Sequence, residues 1–157
     1  MFTLRQSTRS LASPLLYRAS RASAAIISEQ ARNVGTGNEE ALDAMHQIKQ
    51  EAFRMKESLL RGDFGMLHDV LRSSWDAKKR MASKIVSDRI EGLYRQALSA
   101  GAYCARLSGA GGGGFMMFLT DPVSKSRLTE AFCSSESGGI IYGCHFTHVG
   151  AQAGRVR

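Results

Sequence analysis

The chain has 157 residues, 43% of them hydrophobic, a size that suits one domain with a real core. No apolar stretch approaches the roughly 18 residues that cross a bilayer, and the three cysteines lack the paired spacing of a zinc site or a disulfide framework. Of the net charge of +7, +4 falls in residues 1–32, so the rest of the chain is nearly balanced and shows no basic stripe for nucleic acid.

The N-terminal segment has two interpretations. Residues 1–28 contain arginine and serine but no acid, which is typical of a mitochondrial transit peptide. Residues 15–17 are also a short apolar run that suits a strand. We expect residues 1–14 to be a poorly ordered basic segment, residues 15–149 to form one domain, and residues 150–157 to be a flexible tail. The cysteine pattern favours a cytoplasmic protein; the alternative is an imported protein cleaved near residue 28.

Residues 39–81 predict a helical hairpin. In the first helix, apolar residues recur at steps of three or four and predict its inward face: Leu42, Met45, Ile48, Ala52, Met55 and Leu59. Gly62 and Asp63 then form a glycine stop followed by an aspartate N-cap. The second helix has a further apolar set: Leu67, Val70, Leu71 and Trp75.

A basic turn follows Trp75. Lys78 and Lys79 lie close to the end of the second helix, where cations are favoured by the helix dipole. One interpretation is a tryptophan that anchors the core beside solvated lysines. The other is a pocket that binds an anion.

The C-terminal half alternates strands and helices. A third helix begins at Ser87 or Asp88, where Asp88 and Glu91 suggest a capping box, and it ends at Gly101. Strands then flank a glycine run, a helix begins at Pro122, and a last strand follows residue 139. The order βαββαβ, with the hairpin as a helical insert, predicts an α+β fold with a ferredoxin-like, split βαβ antiparallel sheet.

The glycine run at residues 109–114 needs an explanation, since five of its six residues are glycine. Each glycine in an ordered segment costs roughly 0.5–1 kcal/mol relative to alanine. A purely architectural hairpin needs only two to five turn residues. The excess therefore favours a loop whose backbone N–H groups bind phosphate or another oxyanion.

Three familiar glycine motifs do not fit. A dinucleotide fingerprint requires a helix after the loop, whereas residues 115–120 predict a strand. A Walker loop ends in Gly-Lys-Ser/Thr, which is absent here. A protein-kinase loop requires a lysine on the next strand and a His-Arg-Asp motif, and the sequence has neither.

The sequence Leu-Ser-Gly-Ala-Gly-Gly-Gly-Gly-Phe at residues 107–115 closely resembles the third, C-terminal motif of the GHMP kinases, the superfamily of galactokinase, homoserine kinase and mevalonate kinase. Residues 75–79, 90–94 and 101–102, with the Ile-Ile-x-x-Gln pattern at residues 26–30, are most similar to the branch that phosphorylates heptose 7-phosphate.

The resemblance implies a site, a substrate and cofactors. The implied loop residues that line the site are Ser108, Gly109, Ala110, Gly111, Gly112, Gly113 and Gly114. Lys78 and Lys79 become candidates for contacting the phosphate of a sugar phosphate substrate. ATP and Mg²⁺ are the cofactors of the complete enzyme, and the resemblance assigns no catalytic or metal-binding residue to this chain.

The chain also departs from the family. GHMP kinases carry the main ATP loop, of the Pro-x-x-x-Gly-Leu-Gly-Ser-Ser type, and an acidic residue in an N-terminal domain that has no counterpart here. Phosphoryl transfer depends on positioning and electrostatic stabilisation, so we expect the chain alone to be inactive and to need that domain or an equivalent chain. The alternative is a non-catalytic ferredoxin-like module that binds a phosphorylated small molecule or a partner chain. Membrane and nucleic acid are not expected partners, and a homo-oligomer is compatible with the sequence.

Overall fold

The computed structural model describes residues 13–19, 23–83, 85–109, 114–133 and 141–143. Its elements are β1 (Ser13–Ala19), α1 (Ser23–Gly35), α2 (Glu39–Arg61), α3 (Phe64–Met81), α4 (Asp88–Ser99), β2 (Ala102–Leu107), β3 (Gly114–Thr120), α5 (Pro122–Cys133) and β4 (Ile141–Gly143). The strands pair antiparallel in the order β2-β3-β1-β4. This arrangement confirms the predicted α+β, split βαβ fold with a helical insert.

Strand β1 lies inside the sheet. Leu16 is in register with Met117 of β3 on one side and with Tyr142 of β4 on the other. Cleavage near residue 28 would therefore remove a central strand from the domain. The predicted basic segment before residue 13 and the predicted tail at residues 150–157 lie outside the described residues. None of the described helices has the length and hydrophobicity needed to cross a membrane.

Local capping signals place most helix ends where the sequence predicts them. Gly62 has φ +69° at the end of α2, and the carboxylate of Asp63 accepts a hydrogen bond from the Met66 N–H at 2.9 Å. Helix α4 differs, because its N-cap is Ser87, whose hydroxyl accepts from the Ile90 N–H at 3.3 Å. The capping box based on Asp88 is therefore wrong by one residue.

Helix α2 turns a different face toward α3 than its apolar periodicity predicts. Its buried residues are Ala41, Ala44, Glu51 and Ser58, whereas Met45 is 36% exposed and Leu59 43% exposed. The Glu51 carboxylate accepts from Ser73 Oγ at 2.8 Å and from Arg54 Nη1 at 2.9 Å. Small side chains allow close helix packing, and a buried carboxylate is tolerated when it is hydrogen-bonded. The predicted inward face of α2 was therefore wrong at Met45, Ala52 and Leu59, which are exposed. Its other members, Leu42, Ile48 and Met55, are half-buried, and Met55 packs against the core cluster that contains Leu67 and Leu71.

Helix α3 runs alongside β2, and its last turns lie beside Leu107 and Gly109. Arg72 Nε donates to the Tyr103 carbonyl at 2.7 Å near the start of the strand, and Arg106 Nη1 donates to Ser74 Oγ at 2.8 Å further along. Trp75 is completely buried in the main core, as the anchoring interpretation predicts. The last turns of α3 are thereby held against the end of β2.

Candidate functional site

The neck of the glycine loop is well defined. The Ser108 N–H donates to the Phe115 carbonyl at 2.7 Å, which closes the two strands just before the loop. Gly109 has φ +87° and Gly114 has φ +107°, a backbone region that side chains disfavour. Glycine is required at these two positions by conformation. The other predicted loop residues, Ala110, Gly111, Gly112 and Gly113, lie outside the described residues.

Lys78 reaches the loop neck from α3. Its ammonium donates to the Leu107 carbonyl at 3.2 Å and also to the Gly109 carbonyl. These two carbonyls flank Ser108, where β2 passes into the loop. One side chain from the helical insert thus holds the backbone at the entrance to the glycine run.

The charge at this neck has little compensation from the protein. Burial, and secondarily the charge of Arg106, lower the pKa of Lys78 to about 8. Burial also lowers the pKa of Arg106. Within the part of the chain that the structure describes, neither cation forms an ion pair with a carboxylate. Two neighbouring cations without a protein counterion favour the binding of an oxyanion such as phosphate.

Lys79 has different partners although it is the next residue. Its ammonium forms an ion pair with Asp76 at 2.8 Å and lies 5.9 Å from the ring centroids of Trp75 and Tyr94. Trp75 and Tyr94 are themselves stacked, with centroids 6.0 Å apart. The two lysines predicted together therefore make separate contacts, Lys78 with the loop neck and Lys79 with the rim of the core.

Arg106 lies beside Lys78 at the loop neck and was not singled out by the sequence analysis. The alternation of β2 groups Arg106 with Cys104 and Ser108, on the side opposite Leu107. That pattern predicts strand faces but not which helix covers them. Only the packing of α3 along β2 brings Ser74 and Lys78 to this arginine. The one feature of the sequence that could have pointed to Arg106 is its position two residues before Ser108.

Comparisons with known proteins agree with this geometry. Residues 55–137 match the family described as GHMP kinases C terminal. The chain is 42% identical over 120 residues to the D-glycero-alpha-D-manno-heptose 7-phosphate kinase of Campylobacter jejuni subsp. jejuni serotype O:2, a match that covers 76% of this chain and 35% of that protein. The chain thus spans about a third of the length of this relative.

Solved structures show the same fold. A Campylobacter jejuni protein described as a sugar kinase is 35% identical, with a TM-score of 0.53 over 83% of this chain and 35% of that one. The L. major mevalonate kinase in complex with R-mevalonate is 14% identical, with a TM-score of 0.73 over 84% of this chain and 41% of that one. At that identity the second similarity shows the fold alone.

Proposed function

This chain belongs to the GHMP kinase C-terminal domain family, and we propose that it serves as the C-terminal part of an ATP-dependent kinase of a heptose phosphate. The complete enzyme would transfer the γ-phosphoryl group of ATP to a sugar hydroxyl. The observation that supports this most directly is the Lys78 ammonium, which holds the carbonyls of Leu107 and Gly109 at the entrance to the glycine loop.

The described residues supply binding and positioning. Lys78 fixes the backbone direction at the start of the loop, and Arg106 adds a second positive charge beside it. Together they favour a phosphate group at the loop neck. Ser108 and Gly109 are exposed there and accessible to a ligand. We therefore assign phosphate binding at the loop neck of the complete kinase to Lys78. Lys79, which is paired with Asp76, instead stabilises the end of α3.

The described residues contain no cluster of carboxylate, imidazole and thiol groups of the kind that holds a metal ion. Across these ranges, no group of three or more His, Cys, Asp or Glu side chains is placed to hold a metal ion. We propose that the Mg²⁺ and most of the ATP contacts of the complete kinase come from outside this part of the molecule. We assign no step of phosphoryl transfer to a residue of this chain alone.

The isolated chain should show no kinase turnover. In a chimera, the 120-residue segment of the Campylobacter jejuni heptose kinase that matches this chain is replaced by the corresponding residues of this chain. We expect the chimera to release ADP in a heptose 7-phosphate-dependent manner, because the catalytic half is restored. Turnover by the isolated chain would contradict the need for a second half. A folded chimera that binds ATP but has no activity would contradict the kinase assignment.

Binding of a phosphate ligand should weaken at alkaline pH. The folded pKa of Lys78 is about 8, so its ammonium is charged below that pH and loses its charge above it. Affinity for heptose 7-phosphate should fall by up to about tenfold per pH unit above pH 8, until the pKa of the complex is reached. Calorimetric titration of the protein with heptose 7-phosphate, at a series of pH values from about pH 7 upward, measures this affinity. At pH 7 the phosphate is already mostly dianionic. Lys78→Met is the control variant. A wild-type affinity for heptose 7-phosphate that stays constant above pH 8 would contradict the assignment of phosphate binding to Lys78.

A non-catalytic binding module remains the second candidate. The observation that favours it is that the cationic neck is complete within this chain, so an anion needs no partner to bind there. Such a module would bind heptose 7-phosphate with the pH dependence above, and its chimera with the Campylobacter jejuni kinase would be inactive. The two experiments together separate the candidates.

A further inference from the structure

The face of α3 that packs on β2 changes from apolar to polar toward the loop neck. Leu71 lies in a core cluster that also contains Cys104 of the strand. One turn later, Ser74 Oγ accepts a hydrogen bond from Arg106 Nη1 at 2.8 Å. A further turn along, Lys78 donates to the backbone carbonyls of the neck. Residues three and four apart share one side of a helix, so the side chain at position 74 lies between the core and the loop neck.

The hydroxyl of Ser74 is fixed on both sides. Ser74 is 2% exposed, and its hydroxyl donates to the Leu71 carbonyl at 3.1 Å. Because that bond uses its one hydrogen, the oxygen lone pairs are left to accept from Arg106. Arg106 is half-buried, and burying a charged group without a hydrogen-bond partner is costly. Among the described side chains, Ser74 supplies that partner.

An uncharged acceptor positions a cation without neutralising it. Arg54 gives the contrast within this protein, because its guanidinium is held and neutralised by the Glu51 carboxylate at 2.9 and 3.0 Å. Arg106 is held by a hydroxyl instead, and among the described residues it forms no ion pair. A serine at position 74 therefore fixes the place of this guanidinium and leaves its charge intact.

The two cations of the neck repel each other. Burial lowers the pKa of Lys78 most, and the charge of Arg106 lowers it further. The nearby carboxylates act on another residue, since Asp76 and Glu91 raise the pKa of Lys79 against the effect of burial. Burial also disfavours the charge of Arg106, so an unanchored guanidinium would move away from Lys78 toward solvent. Keeping the two charges together requires the hydroxyl one turn before Lys78.

From these contacts we propose that Ser74 is a positioning residue, whose hydroxyl holds the Arg106 guanidinium beside Lys78 so that two positive charges face an anion at the loop neck. Ser74 is buried and acts through Arg106, not on the ligand itself. The inference rests on the proposed function only for the identity of the anion as a phosphate.

The pKa of Lys78 in the ligand-free protein tests the positioning role. Ser74→Ala should raise this pKa from about 8 toward the ordinary value of a lysine, because the released guanidinium repels the ammonium less. NMR titration of the lysine side chains in the full 157-residue chain measures it. Ser73→Ala is the matched control, because the hydroxyl of Ser73 donates to Glu51 of α2. Its loss should leave the pKa of Lys78 unchanged.

The affinity for inorganic phosphate tests the consequence for binding. At pH 7, Ser74→Ala should weaken phosphate binding at least about fivefold, and Arg106→Met should weaken it at least about tenfold. The double variant should bind no more weakly than Arg106→Met alone, since Ser74 acts only through that arginine. Ser73→Ala should keep the wild-type affinity.

The outcomes separate this inference from the proposed function. An unchanged pKa of Lys78 in Ser74→Ala would overturn the positioning role. An equal loss of phosphate affinity from Ser74→Ala in the wild type and in Arg106→Met would overturn it as well. A wild type that binds no phosphate, combined with a raised pKa of Lys78 in Ser74→Ala, would support the positioning role and refute the phosphate site of the proposed function.

Discussion

Replacing Lys78 with methionine should lower the kcat/KM of the chimeric kinase about 100-fold, the scale on which misplaced groups in active sites act. Methionine keeps the length and the apolar stem but removes the ammonium that holds the Leu107 and Gly109 carbonyls. The loop entrance then loses its fixed backbone direction, and the neck loses half of its positive charge. A steady-state assay of ADP release at neutral pH measures the effect.

Lys79→Met in the same chimera is the matched control. Lys79 is the neighbouring residue on the same helix, but it pairs with Asp76, so we expect kcat/KM to change by less than about threefold. A structural role for Lys78 would appear as lower thermal stability without a change in the pH profile. A positioning role for Lys78 predicts that Lys78→Met keeps its thermal stability. It also predicts that the affinity of this variant for heptose 7-phosphate no longer declines above pH 8. Equal losses of activity in the two variants would refute the separate roles of the lysines.

Replacing Gly101 with alanine should lower the free energy of unfolding by about 2–6 kcal/mol. Gly101 has φ +101°, and an added Cβ would lie 2.7 Å from Ser124 Oγ and 2.8 Å from Ser124 Cβ. The unfavourable φ costs about 1–3 kcal/mol, and the forced displacement of α5 costs a similar amount. The Gly101 carbonyl also accepts a hydrogen bond from Thr120 Oγ1 at 3.0 Å, which fixes the backbone at this point. Urea denaturation measures the change.

Gly92→Ala controls for the loss of glycine itself. Gly92 lies on the exposed side of α4, and an added Cβ would meet no atom within 4 Å. Alanine should therefore stabilise the protein by up to about 1 kcal/mol through its higher helix propensity. If Gly101→Ala were also neutral or stabilising, the close approach of α5 to Gly101 would be refuted.

Much of the fold follows from interactions between neighbours in the sequence. The ends of α2, α3 and α5 follow from Gly62, Asp63 and Asp121, whose hydrogen bonds reach only three or four residues along the chain. Such signals can be predicted because both partners are close in the sequence. The order of strands and helices then leads to the split βαβ sheet.

The inward face of α2 could be obtained only in part from the sequence, since three of its six predicted residues are exposed. Periodicity predicts which residues share a face, and it assigned Met45 and Leu59 to the core. The structure places Ala44, Glu51 and Ser58 there instead, because the approach of α3 favours small side chains and a buried carboxylate hydrogen-bonded to Ser73. That preference depends on contacts with a second helix, whose Ser73 lies 22 residues after Glu51 in the sequence.

The sequence by itself determined that a glycine loop lies between two strands and that two adjacent lysines end a nearby helix. Only the tertiary structure decided which lysine reaches the loop and that Arg106 joins it. Adjacent residues on a helix point about 100° apart, so their partners depend on how the helix is rotated against β2. Long-range packing sets that rotation, through contacts such as Arg72 with Tyr103 and Arg106 with Ser74.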